Sequence, residues 1–204
     1  MDGQDLVEVL RSDHEAALAG LGSSKSLYAL TGGTVDAEHV HAAARRELSE
    51  ARATFESWAG VERDDRAAAL FETVASTVAD QHDVIGPPED QPRDRASRFE
   101  LPAVEGPAER LGALLGWTLV TRAAVEQMVE FFVGHADPDT AETYRGVRDS
   151  VEHLRDRTAT TIELDCASDR DWSNALTGAN ETIEAADAAY RETLAALDVD
   201  PSRG

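Results

Sequence analysis

The stretch GPPEDQPRDRASRFELPAVEGP, residues 86–107, separates two helical halves of the chain. It holds five of the seven prolines and no stripe of apolar residues at helical spacing. Proline lacks an amide hydrogen and its ring clashes with the preceding turn, so this stretch does not fit a continuous helix. Fully extended, it reaches about 70 Å, well beyond the length of a helix of about 25 residues. We therefore predict a crossover that runs the length of a helix pair.

A helix hairpin is predicted before the crossover, over residues 34–85. Its first helix takes Thr34 as the N-cap, because a threonine hydroxyl accepts a hydrogen bond from the free amides of a first turn. Its second helix runs from about 63 to 85 and stops at the Gly-Pro-Pro that opens the crossover. Apolar residues three and four apart give the buried stripe, which includes Ala44, Leu48, Ala51, Phe55, Trp58, Leu70, Phe71, Val74 and Val78.

A second hairpin is predicted after the crossover, over residues 108–162. Its second helix begins at Asp137-Pro138, a capping residue followed by the residue most favoured at the first helical position. Its first helix contains Gly112 and Gly116, which allow another helix to approach closely.

Flanking helices complete the prediction of one helical domain over residues 1–204. The N-terminal segment, 3–33, begins with a continuous helix over 3–20, and a last helix spans 171–197. Two hairpins joined by one long crossover give up-down-down-up connectivity. The predicted fold is therefore all-α: a ferritin-like four-helix bundle with additional N- and C-terminal helices.

The charge is strongly acidic, with 40 Asp and Glu against 19 basic residues, a net charge of -21 and Lys25 as the one lysine. Such a surface repels nucleic-acid phosphates and anionic lipid, so we expect neither nucleic acid nor membrane as a partner. Two interpretations remain open: an acidic face for a basic partner, or a lysine-poor shell suited to concentrated salt. The composition resembles that of proteins from salt-loving archaea, which implies that folding needs molar salt.

A lone cysteine, Cys166, excludes a disulfide framework within the chain and a cysteine-based zinc or iron-sulfur site. Acidic neighbours are expected to raise the pKa of its thiol, which argues against a nucleophile. The N-terminus does not resemble a signal peptide, and no apolar run is long enough to cross a bilayer. We expect a cytoplasmic protein.

The segments ARATFESWAG, residues 51–60, and AAALFETVASTVADQH, residues 67–82, resemble the first helix pair of rubrerythrin-type ferritin-like proteins. That resemblance implies a ferritin-like fold. In the family, one Glu from each of two helices and a Glu-x-x-His from each of the other two hold the metal ions. It also implies oxidoreductase or iron-storage activity where those ligands are present.

Most of the family's ligands are absent under any alignment of this chain. The aligned positions hold Leu48 in the first helix, Ala79 with His82 or Val78 with Gln81 in the second, Trp117 or Thr118 in the third, and Ser150 with His153 or Val151 with Leu154 in the fourth. The expected function is therefore non-catalytic, in protein interaction or scaffolding. The adjacent Phe131 and Phe132 suggest a homodimer, because one of them must face away from the core stripe.

Other interpretations stay open at this stage. One is a ferritin-like oxidoreductase with a reduced or mononuclear iron or manganese site built from Glu47, His82 and His153. Another is a helical transcription-related regulatory protein of the antitermination type. Glu38 and His41 form the chain's only Glu-x-x-His, which is either a metal-binding pair or a solvated helix end.

Overall fold

The computed structural model describes residues 2–86 and 101–200, and throughout these residues the secondary structure is helical. The eight helices of this part of the chain are α1 (Gly3–Asp13), α2 (Glu15–Leu21), α3 (Ser24–Leu30), α4 (Ala37–Val61), α5 (Asp65–Val84), α6 (Pro107–Gly134), α7 (Pro138–Asp165) and α8 (Asp169–Ala196). The all-α prediction is confirmed. Most of the predicted crossover, residues 87–100, lies outside the described residues. None of the described helices is long and apolar enough to cross a membrane.

Two predicted helix boundaries are wrong. The N-cap of α4 is Asp36, whose carboxylate accepts the amide hydrogen bond of His39 at 2.9 Å, and not Thr34. Aspartate is the stronger cap, so the helix begins where that side chain is available. The predicted continuous first helix is broken at His14, which ends α1 and precedes α2. The His14 ring bonds Asn180 of α8 at 2.8 Å, so the break joins this segment to the C-terminal helix.

Helices α4 and α5 form an antiparallel hairpin, and contacts at both ends of α4 show how the chain runs. Near the start of α4, the Arg45 guanidinium donates to the carbonyl of His82 at the end of α5. Just after α4, Glu62 pairs with Arg110 in the first turn of α6 at 2.9 Å. Therefore α5 ends and α6 begins at opposite ends of α4, a helix of 25 residues, or about 37 Å.

Helix α6 is the central helix, and residues 111–120 are buried without interruption. It packs most extensively against α7 and α8. A Cβ placed on Gly112 would overlap the backbone of Ala175, and one on Gly116 would lie 2.7 Å from the Ala179 carbonyl oxygen. The predicted close approach at these glycines is thus confirmed, and the pairing shows that α6 and α8 run in the same direction.

Large aromatic side chains fill the space between the α4–α5 hairpin and α6. Phe55 and Trp117 join α4 to α6 edge to face with their ring centroids 5.2 Å apart. Trp58 lies against both Phe55 and Phe71 at 5.5 Å. Phe55, Trp58 and Phe71 belong to the predicted stripes of the first hairpin and are buried, so the stripe prediction is confirmed here.

The N-terminal helices cover the other side of the core. Helix α1 packs against α7, while α2 and α3 pack against α6 and α8. Gly3 lies against the backbone of Ala159, where a side chain would not fit. This arrangement leaves α3 beside α4, at one edge of an internal cavity.

Candidate functional site

An apolar cavity of about 70 Å³ lies where α3, α4, α6, α7 and α8 meet. Its walls are mainly aliphatic and aromatic, with Leu48, Val125 and Met128 among the buried contributors. Glu47 is the one acidic side chain that lines it. An apolar cavity with a few convergent polar groups is the usual form of a small-molecule site. We call this space the Glu47 cavity.

Glu47 lies beside the buried stripe of α4, and about 24% of its side chain is exposed. Its Oε1 accepts a hydrogen bond from Arg46 Nη2 at 3.1 Å, and the same nitrogen donates to the Leu30 carbonyl of α3 at 3.3 Å. Burial raises the pKa of Glu47 to about 7, against the opposing effect of Arg46. The carboxyl group can therefore accept or donate a proton near neutral pH, a property concentrated at functional sites.

A shallow groove borders the cavity on the side of the described end of the crossover. Glu47 and Trp117 line both spaces, and the other residues that line the groove are Glu50, Ala51, Ala53, Thr54 and Leu101. The partly exposed carboxyl group of Glu47 thus stands between the enclosed cavity and an open surface. This geometry gives the cavity a route to solvent.

A stack of three rings lies at the end of the bundle where α4 begins. The His41 ring lies 5.1 Å from Phe132 and 5.8 Å from Tyr144, and Phe132 lies 5.3 Å from Tyr144. His41 Nδ1 and the Tyr144 hydroxyl are 3.0 Å apart. Desolvation lowers the pKa of His41, and the charge of Asp137 partly opposes this shift. We call these rings the His41 stack.

The His41 stack corrects two sequence-based expectations. His41 is half-buried beside the rings of Phe132 and Tyr144, so the interpretation of the Glu38 and His41 pair as a solvated helix end is wrong for the histidine. Phe131 does not face away from the core: it is half-buried, edge-on to Phe132 with their centroids 5.0 Å apart, and 4.1 Å from the His135 ring. Sequence spacing could not reveal the stack, because its rings come from three different helices.

The three residues of the alternative metal site lie in different surroundings. Glu47 borders the cavity, His82 sits in the last turn of α5 with its Nδ1 3.2 Å from Asp83, and His153 is exposed on α7. Within residues 2–86 and 101–200, no group of three or more His, Cys, Asp or Glu is placed to hold a metal ion.

The structure shows which of the residue pairs left open by the sequence face the core. The inward pairs are Val78 with Gln81 on α5 and Val151 with Leu154 on α7, whereas His82 and His153 lie outside the core. Gln81 is only 5% exposed, and its amide group has no hydrogen-bond partner among the described residues. Thr118 of α6 is buried and donates to the Leu115 carbonyl at 2.7 Å.

The Cys166 thiol follows the sequence prediction. It is buried just after α7, and its pKa is raised to about 11 by burial first, then by Asp171 and Asp165. The thiolate needed for nucleophilic chemistry is therefore scarce at neutral pH.

No protein-family model, curated protein or solved structure matches this chain.

Proposed function

We propose that this chain is a non-catalytic ferritin-like helical protein that acts in protein interaction or scaffolding in a high-salt cytoplasm. The opposite placement of the end of α5 and the start of α6 supports the ferritin-like part of this proposal. Such a placement suits a long connection between two antiparallel hairpins, which is the arrangement of a four-helix bundle with one crossover.

The observation that carries the proposal is the chemistry of the inward positions. The pairs that face the core where the family has Glu-x-x-His are Val78 with Gln81 and Val151 with Leu154. The position of the first glutamate is the buried Leu48. Aliphatic carbon does not bind iron or manganese, and an amide without a charged neighbour is a weak ligand.

The acidic surface supports the high-salt part of the proposal. Several arginines pair with a carboxylate within four residues on their own helix, as do Arg52 with Glu56, Arg155 with Asp156, and Arg191 with Asp187. These local pairs neutralise only a part of the 40 acidic residues. The remaining negative charge repels itself unless salt screens it.

Exposed aliphatic residues at the two bundle ends support self-association. Val84 and Val133 are 64% and 53% exposed at the ends of α5 and α6, which point in the same direction. Val61 and Leu164 are 59% and 62% exposed at the ends of α4 and α7. Two exposed aliphatic side chains at each end of the bundle are thus available to a second copy of the chain.

Elemental analysis tests the non-catalytic part of the proposal. Protein purified in molar salt without chelator should contain less than about a tenth of an equivalent of iron, manganese or zinc, because the inward positions offer no ligand set. A stoichiometric metal content would contradict the proposal, and its loss in Glu47→Gln but not in Glu72→Gln, at an exposed position of α5, would place the metal at Glu47.

Solution mass tests the interaction part. The wild-type chain in molar salt should have the mass of a dimer, and either Val84→Glu with Val133→Glu or Val61→Glu with Leu164→Glu should reduce it to that of a monomer. If only one of these double substitutions lowers the mass, the dimer contact lies at that end of the bundle, and the other double substitution is the control. A monomeric wild type at high protein concentration would contradict self-association.

A further inference from the structure

The Glu47 cavity has no role in a scaffold, and its size sets what it can hold. Its volume is about 70 Å³, and a water-sized group needs roughly 10–15 Å³ of such space, so about five to seven non-hydrogen atoms fit. Waters would each need about two to four polar partners, which these mainly aliphatic walls do not supply in number. A compact apolar body matches the cavity better.

The carboxyl group of Glu47 sets the polar end of the occupant. A carboxylate accepts several hydrogen bonds on its two oxygens, so the single contact at Oε1 leaves capacity for another donor. Burial disfavours the charged carboxylate, and a cation held against it restores that form. An ammonium group supplies both the positive charge and a charge-assisted hydrogen bond.

The charge of the whole chain points to the same ligand class. The net charge of -21 disfavours a ligand that carries a carboxylate or a phosphate, although molar salt confines this effect to within about 3 Å of each acidic side chain. The groove beside Leu101 exposes Glu47 to solvent, so a cation that approaches there meets the carboxyl group before the apolar walls. A ligand with the charge at one end and an apolar body at the other would enter body first and leave its ammonium at Glu47.

We propose that the Glu47 cavity binds a small primary monoamine with an unbranched or lightly branched apolar body of about five carbon atoms. The body lies among Leu48, Val125 and Met128, and the ammonium group donates to the Glu47 carboxylate at the mouth. This binding function goes beyond the proposed scaffold and does not depend on it.

Methionine methyl signals provide a direct test, because the chain has only two methionines, Met1 and Met128. Met128 is 2% exposed and lines the cavity. Protein labelled with ¹³C at the methionine methyl groups is titrated with n-pentylamine, n-pentanol or ammonium chloride in molar salt. The Met128 signal is assigned with Met128→Leu, which keeps the volume of the side chain.

The Met128 signal should shift saturably with pentylamine and remain unchanged with ammonium chloride. Half-saturation by pentanol should need about tenfold more ligand, because the alcohol lacks the charge-assisted bond. Glu47→Gln should raise the half-saturation concentration of pentylamine about tenfold and leave that of pentanol unchanged. Ala124→Leu, which fills space in the cavity at a half-buried position, should abolish both shifts.

Three results would overturn the proposal, provided that each variant unfolds at a midpoint close to that of the wild type. The first is a Met128 signal that does not move with pentylamine. The second is equal half-saturation by pentylamine and pentanol in the wild type. The third is an unchanged affinity for pentylamine in Glu47→Gln or in Ala124→Leu. None of these results bears on metal content or oligomer mass, so the scaffold proposal is tested separately.

Discussion

The two sides of α6 are built differently. Towards α8, Gly112 and Gly116 bring the helices into backbone contact, and Gly178 of α8 meets Glu109 of α6 in the same way. Towards α4, the rings of Phe55 and Trp117 hold the helices apart, and the Glu47 cavity lies beyond them. The first side has no room for a methyl group, whereas the second keeps unfilled volume around a carboxyl group. The close backbone contact thus lies at Gly112 and Gly116, whereas the cavity lies further along α6, against Trp117 to Met128, where α8 also contributes Ala186 and Tyr190.

The largest effect is expected from a side chain added on the tight side. Gly112→Val places its Cβ against the Ala175 carbonyl, which is backbone and cannot rotate away. We expect a loss of roughly 4 kcal/mol or more, or failure to fold. Chemical denaturation in molar salt measures it.

Gly146→Ala on α7 is the matched control for that substitution, because a Cβ there meets nothing within 4 Å. It should stabilise the protein by up to about 1 kcal/mol through helix propensity alone. A Gly112→Val variant as stable as the wild type would show that the α6–α8 contact is not the tight side.

The next effect is expected from truncation on the wide side. Phe55→Ala removes a fully buried ring that touches Trp58 and Trp117, and should cost about 3–5 kcal/mol. Val61→Ala, exposed at the end of the same helix, should change stability by no more than about 0.5 kcal/mol. If Phe55→Ala were equally mild, the rings would not be what separates α4 from α6.

Much of this contrast could be predicted from the sequence, and the reason is local periodicity. The glycines four residues apart in α6 predicted a close helix contact, and the spacing of Phe55, Trp58 and Phe71 predicted a buried aromatic stripe. Both signals lie within one helix, where spacing alone fixes the shared face. Identifying α8 as the partner of the glycines required the three-dimensional arrangement.

The candidate site was only partly predictable. The sequence offers Glu47 as a ligand of an alternative metal site, but its position beside a cavity depends on five helices that are distant in sequence. The pairing of His41 with Tyr144 spans 103 residues and has no sequence signature. The N-cap Asp36 shows the same difficulty on a small scale, because two good capping residues lay within three positions and only the structure selected one.

The carboxyl group of Glu47 should make the stability of the protein depend on pH. The folded-state pKa of Glu47, about 7, lies above its usual value of 4.5. The folded state therefore binds the proton more tightly, so this stabilising contribution is full below pH 4.5 and is lost as the pH rises through 7. Its upper bound is roughly 3 kcal/mol. Arg46 opposes the shift and Glu50 adds to it.

Glu47→Gln should remove that part of the pH dependence, measured as the free energy of unfolding between pH 4.5 and 8 at constant molar salt. Glu72→Gln is the matched control, because it makes the same charge change at an exposed position of α5 and Glu72 is not among the charges that shift the pKa of Glu47. An identical pH profile in the wild type and Glu47→Gln would mean that the carboxyl group is well solvated and the cavity is open around it.

The smallest effect is expected at the His41 stack, where the pH dependence of stability has the opposite sign to that of Glu47. Burial lowers the folded-state pKa of His41 below its usual 6.5, so the folded state favours the neutral ring. This stabilising contribution is present above pH 6.5 and is lost as the pH falls through the folded-state pKa. His41→Phe keeps a ring beside Phe132 and Tyr144 and removes the titration, so stability should fall less between pH 7 and 5 than in the wild type. His153→Gln removes an exposed imidazole as the control.

Tyr144 connects the His41 stack to the Glu47 cavity, because it lines the cavity and also contacts His41. An altered pentylamine affinity in His41→Phe would show that the stack and the cavity are coupled. An unchanged affinity would show that the effect of His41 is limited to the end of the bundle.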